Sequence, residues 1–395
     1  MVKNTSFNLL STSLFLLMVC FGICSCDNGT KTPSRAKYIT DPAKLSMIYS
    51  MKDLDGTGRL YEIDYTADYK LDEIIKAQKT NPNDLFQYVA YLLYDELPKT
   101  KTKTTASYGA GCSAFAVPED GSIDFLMGRN YDFCHATDDK GGYIPTSAIL
   151  VRTAPKDGKK SISMVDGLNM GYAKGFYTDP KKDLSMLMGL PYAILDGINE
   201  DGFAIGILAL RETQTLQENN QTKIGPTVAM RMLLDRASTV KQALAMLKEY
   251  DMDMRESGTS NYHFFMADAT GDYAIVEYTR NAGEAVPHIM ETFTENDTLR
   301  CVTNFYVSPT MVGTKDGWGS EHGKARYETM RNTLKAKNYT LTSDEAMNLL
   351  KAVSQPPSSE ITSQTQWSAL YNLTERSMRL TILREYAKEY NFKVE

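Results

Sequence analysis

Cys112, Arg129 and Asp132 are the residues whose types and spacing point most directly to chemistry. Cys112 stands in the string Ala110-Gly111-Cys112-Ser113-Ala114-Phe115. A turn at Glu119-Asp120-Gly121 separates it from Gly128-Arg129-Asn130-Tyr131-Asp132. Two strands joined through that turn have their far ends side by side, so Cys112 should meet Arg129 and Asp132. A thiol near an Arg has its thiolate favoured, and the thiolate is the nucleophile. The Asp could then orient a base or an amine.

A base is needed, and histidine is a poor source. The chain has 4 His. His263 falls in an expected strand and reads as a core or sheet-face residue. His288 and His322 fall in loops, and His135 adjoins Cys134. No H-E-x-x-H or C-x-x-C spacing occurs, so no metal site is expected. G-x-S-x-G is absent as well. The other candidate base is the α-amine that cleavage of Gly111–Cys112 would create. Such an amine titrates near ~8, suited to general-base work near neutrality. The polar stretch 99–111, rich in Lys and Thr and ending Gly109-Ala110-Gly111, reads as a linker that leaves this bond accessible.

The elements that must position these residues are mostly strands. They are expected at 113–117, 123–129, 148–153, 161–165, 202–210, 262–267, 273–278, 300–304, 367–373 and 378–384. Helices are expected at 226–237, 240–248, 324–335 and 343–352. Ser343 lacks a capping-box acid at Ala346, although Asp344 and Glu345 suit a helix N-terminus. Strands in runs with helices grouped between them predict an α+β fold of sheets covered by helices, not alternating βαβ units. Residues 36–98 read as small and mostly helical, with helix-spaced apolar residues over 42–51, 71–77 and 84–97. The run Asp53–Asp64 has the oxygen side chains, Gly and closing carboxylate of a calcium loop, with Asp64 one methylene short of Glu. A turn leading into a strand accounts for it equally well.

From Gly111 to its C-terminus the chain resembles the choloylglycine hydrolase group of linear amide C–N hydrolases. The strings that carry the resemblance are Cys112-Ser-Ala-Phe115, Gly128-Arg-Asn-Tyr-Asp132, Asp196-Gly-Ile-Asn-Glu-Asp-Gly202, Val302-Thr-Asn304, Ala325-Arg326-Tyr327 and Thr365–Asn372. The group includes bile salt hydrolases, penicillin V acylases and acid-amidase relatives. The resemblance implies an N-terminal-nucleophile hydrolase with a four-layer αββα sandwich. It implies Cys112 as nucleophile, Arg129, Asp132 and Arg326 as catalytic residues, and Asn304 as an oxyanion donor. It implies no cofactor. Two features depart from bile salt hydrolases. Their Asn after the D-G-x-N-E-x-G turn has no counterpart in Ala204–Leu210. Residues 27–111 also precede the Cys, as in acid-amidase and penicillin acyltransferase relatives that cleave themselves.

The N-terminus reads as an address. Lys3 precedes an apolar run, Leu14–Ile23, which is short for a bilayer span of roughly 20 residues but suits a signal peptide. Ile23-Cys24-Ser25-Cys26 resembles a bacterial lipobox, implying cleavage before Cys26 and its lipidation. The expected organisation is a lipoprotein signal peptide over 1–26, a tether and propeptide over 27–111, and a catalytic domain over 112–395. Of 6 Cys, only Cys112, Cys134 and Cys301 lie beyond the signal region, an odd number that leaves a free thiol in an exported protein. Cys134 and Cys301 read as small apolar fillers, with a disulfide between them left open.

The composition is that of a globular protein: 42% hydrophobic, 23% charged, net charge -6. Nucleic acid is therefore not an expected partner. The expected function is hydrolysis of N-acyl amides at the bacterial cell envelope, on a lipid anchor. The alternatives are acyl transfer through the same thioester and a non-catalytic surface-binding lipoprotein. The N-acyl amide itself and homo-oligomerisation are left open.

Overall fold

Strands with long apolar runs on both faces need cover on both sides, and the chain supplies it by stacking two sheets between helices. The computed structural model describes residues 34–98, 108–134, 146–210, 216–254, 261–279, 289–294, 299–309, 311, 323–357 and 364–395. The signal and lipobox region, linker residues 99–107, and His135, His288 and His322 lie outside the described residues.

Among the described residues, the larger sheet has nine strands. In spatial order they are β1 (Lys52–Asp53), β2 (Leu60–Tyr65), β5 (Ala148–Thr153), β6 (Ser161–Asp166), β7 (Ile194–Asn199), β8 (Ala204–Leu210), β11 (Asn261–Ala267), β12 (Tyr273–Thr279) and β13 (Ile289–Phe293). The second has six: β14 (Cys301–Val302), β3 (Tyr108–Pro118), β4 (Phe125–Cys134), β15 (Thr365–Asn372), β16 (Ser377–Ile382) and β17 (Tyr390–Lys393). A small parallel pair joins β9 (Thr222–Ile224) and β10 (Tyr250–Met252).

The two large sheets face each other. Ala114, Met127, Tyr131, Trp367 and Tyr371 from one meet Leu150, Met164, Ile198, Phe265 and Ile275 from the other in a shared core. The outer face of the six-stranded sheet packs Phe115, Val117 and Leu126 against α6 (Lys324–Ala336) and α7 (Ser343–Ala352). The outer face of the nine-stranded sheet packs Ile149, Val165, Ile205 and Phe264 against α4 (Pro226–Arg236) and α5 (Val240–Leu247). The result is the expected αββα order of layers.

The segment expected to be mostly helical provides α1 (Pro42–Tyr49), α2 (Leu71–Ala77) and α3 (Pro82–Leu93), which lie on that same outer face. It also provides β2, which pairs in parallel with β5 from Leu60–Ala148 to Tyr65–Thr153. The segment is thus built into the main sheet. The Asp53–Asp64 run is a turn into β2. Asp53 accepts from the N–H groups of Gly56 and Gly58, both at 2.9 Å, and Asp55 from Thr57, Arg59 and Leu60. Asp64 sits along β2 with its carboxylate 3.9 Å from Arg152, so the run's carboxylates serve the turn and the sheet.

Two local expectations shift. Helix α7 has a full capping box, one residue earlier than Ser343: Thr342 accepts from the Glu345 N–H, and Glu345 reaches back to the Thr342 N–H. The expected strand 300–304 is reduced to Cys301–Val302, because Thr303 and Asn304 leave the sheet.

Candidate active site

Register brings the first three residues together. Gly111 pairs with Asp132, Cys112 with Tyr131 and Ala114 with Arg129 across β3 and β4. Side chains alternate along a strand, so Arg129 and Tyr131 share the inter-sheet face with Cys112, while Asn130 and Asp132 take the helix-covered face. Asn130 accordingly donates to the Leu350 carbonyl on α7, at 2.8 Å.

Each face of Cys112 has its own guanidinium–carboxylate pair. On the inner face, Arg129 Nη2 lies 3.8 Å from Cys112 Sγ and donates to the Ile207 carbonyl at 2.5 Å. Its Nη1 is 2.9 Å from Asp196 Oδ2, and both side chains are fully buried. Trp367 Nε1 donates to Asp196 at 3.0 Å and the Tyr371 hydroxyl at 2.5 Å. On the other face, Arg326, in the first turn of α6, donates to the Cys112 carbonyl at 2.6 Å and approaches Asp132 at 3.4 Å. Thr365 and Gln355 donate to the two oxygens of Asp132, at 2.5 and 2.8 Å.

Asn304 joins these groups. Its Oδ1 accepts from the Cys112 N–H at 2.6 Å and from Arg326 Nη2 at 2.9 Å. Its Nδ2 donates to the Ala209 carbonyl at 2.8 Å, leaving its second hydrogen for another acceptor. Ala209 lies on the strand that lacks the bile salt hydrolase Asn, and its backbone meets Asn304. The carbonyl oxygen of Asn304, rather than Asp132, holds the Cys112 nitrogen.

Electrostatics corrects one expectation. In the intact chain the Cys112 thiol is pushed above its ordinary value. Burial is the main cause, and the charge of the Asp132 carboxylate adds to it; Arg129, a hydrogen bond from the Asp132 backbone and Arg326 oppose without prevailing. The guanidinium alone does not make this thiol a thiolate. Burial also raises Asp132, against Arg326 and Thr365. Arg129 behaves differently: burial works against its charge, yet Asp196 foremost raises it above its ordinary value. The Gly111–Cys112 bond is likewise less open than the linker composition suggests, because it lies buried inside β3.

All five residues named from the sequence, Cys112, Arg129, Asp132, Asn304 and Arg326, therefore meet at one place. Cys301 carries a free, buried thiol raised to about 12 by burial. His263 is buried between the sheets' strands and the Thr303 backbone. Sequence reading gave no role to Asp196, Gln355 or Thr365. Asp196 and Thr365 lie in strings quoted for the resemblance; Gln355 precedes two prolines and carried no cue. No group of residues able to hold a metal occurs among the described residues.

Comparison with known proteins adds a family. Residues 118–385 match the sequence profile described as acyl-coenzyme A:6-aminopenicillanic acid acyl-transferase. The chain belongs to that family. The match includes Arg129, Asp132, Asn304 and Arg326 and begins after Cys112. Solved structures similar to this member of the acyl-transferase family include two variants of conjugated bile acid hydrolase from Clostridium perfringens. They are 16% and 15% identical, each covering 71% of this chain and 92% of the other, with TM-scores of 0.48. Penicillin V acylase from Agrobacterium tumefaciens is 16% identical, covering 69% of this chain and 83% of the other, with a TM-score of 0.45. No curated protein sequence matches.

Proposed function

We propose that this protein is an N-terminal-cysteine amidohydrolase of N-acyl amides that first cleaves itself at Gly111–Cys112. The observation that carries the reading is the convergence on Cys112: a guanidinium at its sulfur, an amide oxygen at its nitrogen and a second guanidinium at its carbonyl.

In self-cleavage, Cys112 Sγ attacks the Gly111 carbonyl carbon and the Gly111–Cys112 C–N bond breaks. The thiol proton passes to the departing nitrogen. Water then hydrolyses the Gly111 thioester, leaving a carboxylate on Gly111 and a free α-amine on Cys112. That α-amine is the base the site otherwise lacks. Asn304 Oδ1, already on the Cys112 nitrogen, then orients it, with Asp132 behind.

In turnover, the α-amine takes the thiol proton as Sγ attacks the substrate carbonyl. The second Nδ2 hydrogen of Asn304 and a backbone N–H stabilise the oxyanion, each donor worth roughly 3 kcal/mol. The amine leaves with the proton returned by the α-ammonium, and water resolves the thioester to acid and thiol. Arg129 supports charge on sulfur, and Arg326 fixes the Cys112 carbonyl.

Lipidation of Cys26 would tether the enzyme at the cell envelope, where the chain's small-molecule amide is met at a membrane surface. Acyl transfer is the second reading, favoured by the family match. There an amine in place of water captures the thioester. A non-catalytic lipoprotein is the weakest reading, because a scaffold gains nothing from burying two guanidinium groups around one thiol.

The test is a panel of N-acyl amides offered to the purified full chain. The reading requires release of the free amine, an acyl mass on Cys112 under acid quench and loss of both in Cys112→Ala. Added amine that diverts the acyl group into a new amide selects transfer. Amine release that persists in Cys112→Ala contradicts both enzymatic readings.

A further inference from the structure

We infer that His263 and Glu277 are positioning residues for Asn304, an inference that rests on the role just given to Asn304. His263 in β11 and Glu277 in β12 occupy facing positions, one step beyond the Phe264–Val276 pair. Both are fully buried. His263 Nδ1 is 3.0 Å from Glu277 Oε1, and Nε2 is 2.8 Å from the Thr303 carbonyl oxygen. A carbonyl oxygen only accepts, so Nε2 carries its hydrogen and donates.

The same Glu277 carboxyl accepts from the N–H groups of Val307 and Ser308, both at 2.9 Å. One His–Glu pair thus grips the segment 303–308 at both ends, and Asn304 is next to the first grip. Glu291, the cross-strand neighbour of Glu277 on β13, takes the Ser308 hydroxyl and extends the second grip.

The sheet cannot do this work. β14 ends at Val302, so no strand ladder holds Asn304. Thr303 Oγ1 also donates to the Gly323 carbonyl at 3.0 Å, just ahead of α6 and three residues before Arg326. A shift at Thr303 therefore moves the Asn304 amide and the base of Arg326 together. Beyond the contact that joins them, the pair's hydrogen bonds are all spent on this one segment, so what it contributes is geometry.

The test uses the full chain carrying Cys112→Ala, which keeps a backbone N–H at position 112 whether or not the wild type cleaves itself. Two variants are made in it. His263→Gln keeps a donor at the Nε2 position for the Thr303 carbonyl. His263→Asn keeps only the Nδ1-like contact to Glu277. His263→Asn should speed hydrogen exchange at the position-112 amide about tenfold, the loss of one hydrogen bond, while His263→Gln stays near the parent. With Cys112 restored, His263→Asn should lower kcat on the order of 10²-fold with little change in KM, and His263→Gln should recover most of it. Equal exchange at position 112 in both variants and the parent overturns the inference, whatever the protein hydrolyses. Faster exchange with unchanged kcat leaves the positioning intact and overturns the role of Asn304.

Discussion

Asp196 holds Arg129 against Cys112: the 2.9 Å contact between Asp196 Oδ2 and Arg129 Nη1 is fully buried, and the other guanidinium nitrogen reaches the sulfur. Trp367 and Tyr371 orient the Asp196 carboxylate in turn. A chain of donors and acceptors therefore runs from β15 through β7 and β4 to the thiol.

Breaking that pair should cost both stability and rate. Asp196→Asn leaves a buried guanidinium uncompensated, a loss of roughly 3–5 kcal/mol. Urea unfolding of the variant should show a lower midpoint, and kcat should fall as Arg129 loses its anchor. A variant with parental midpoint and kcat would mean the pair is incidental.

Gly206 tests the placement of Arg129 without touching charge. A Cβ added there would lie 2.8 Å from both Cδ and Nε of Arg129. Two anchors hold that guanidinium, so it cannot simply swing aside. Gly206→Ala should reduce kcat at least tenfold, about 1.4 kcal/mol in barrier. Full activity in a folded Gly206→Ala protein would show that the Arg129 position is not critical.

The thiol makes a pH prediction. In unprocessed chain, burial raises the Cys112 thiol and Arg129 lowers it. Its iodoacetamide rate should reach half-maximum above the ordinary thiol range of ~8.5. Arg129→Met removes the opposing charge, so the midpoint should move further up. Processing adds an α-ammonium beside the sulfur and should move it down. Cys301, raised to about 12, should stay unlabelled near neutrality. A midpoint that falls in Arg129→Met reverses the sign of the account.

The N-terminal segment should stay attached after cleavage. β2 fills a place between β1 and β5. The Tyr65 hydroxyl donates to the Met188 carbonyl at 2.8 Å, Tyr69 to Asp235 at 2.7 Å, and Arg59 pairs with Glu385 at 2.7 Å. Both pieces should elute together from a sizing column and part only in denaturant. A chain lacking residues 34–98 would expose the β5 edge and its apolar cover and should aggregate. A soluble, monodisperse truncation would contradict this.

Much of this was legible in residue order, and the exceptions have physical reasons. Residue pattern placed α4 through α7 within a residue or two: α5, α6 and α7 each bury one face, and α4 is buried along nearly its whole length. The hairpin turn at Glu119–Gly121 was enough to bring Cys112 beside Arg129 and Asp132, while the pairing of Cys112 with Tyr131 itself is seen only in the structure. β7 went unread because Asp196-Gly197 looks like a turn, yet Gly197 sits in the strand with no room for a Cβ beside the Ile162 carbonyl oxygen. β2 could be read as a strand but not as part of the main sheet, since parallel pairing with β5 spans a long separation in sequence. The raised thiol also escaped notice, because charge neighbours are visible in sequence and burial is not. Which atom of Asn304 faces Cys112 is decided by the Ala209 carbonyl, far away in the chain, which takes Nδ2 and leaves Oδ1 for the Cys112 N–H.

The most direct test of the central claim is the denaturing mass of purified wild-type protein, measured alongside its amidase activity. The account predicts a heavy chain whose mass and N-terminal sequence begin at Cys112, a separate N-terminal piece, and a single uncut chain for Cys112→Ala. A wild-type protein fully active while residues 111 and 112 remain joined would contradict it, because Cys112 would then have no α-amine to use.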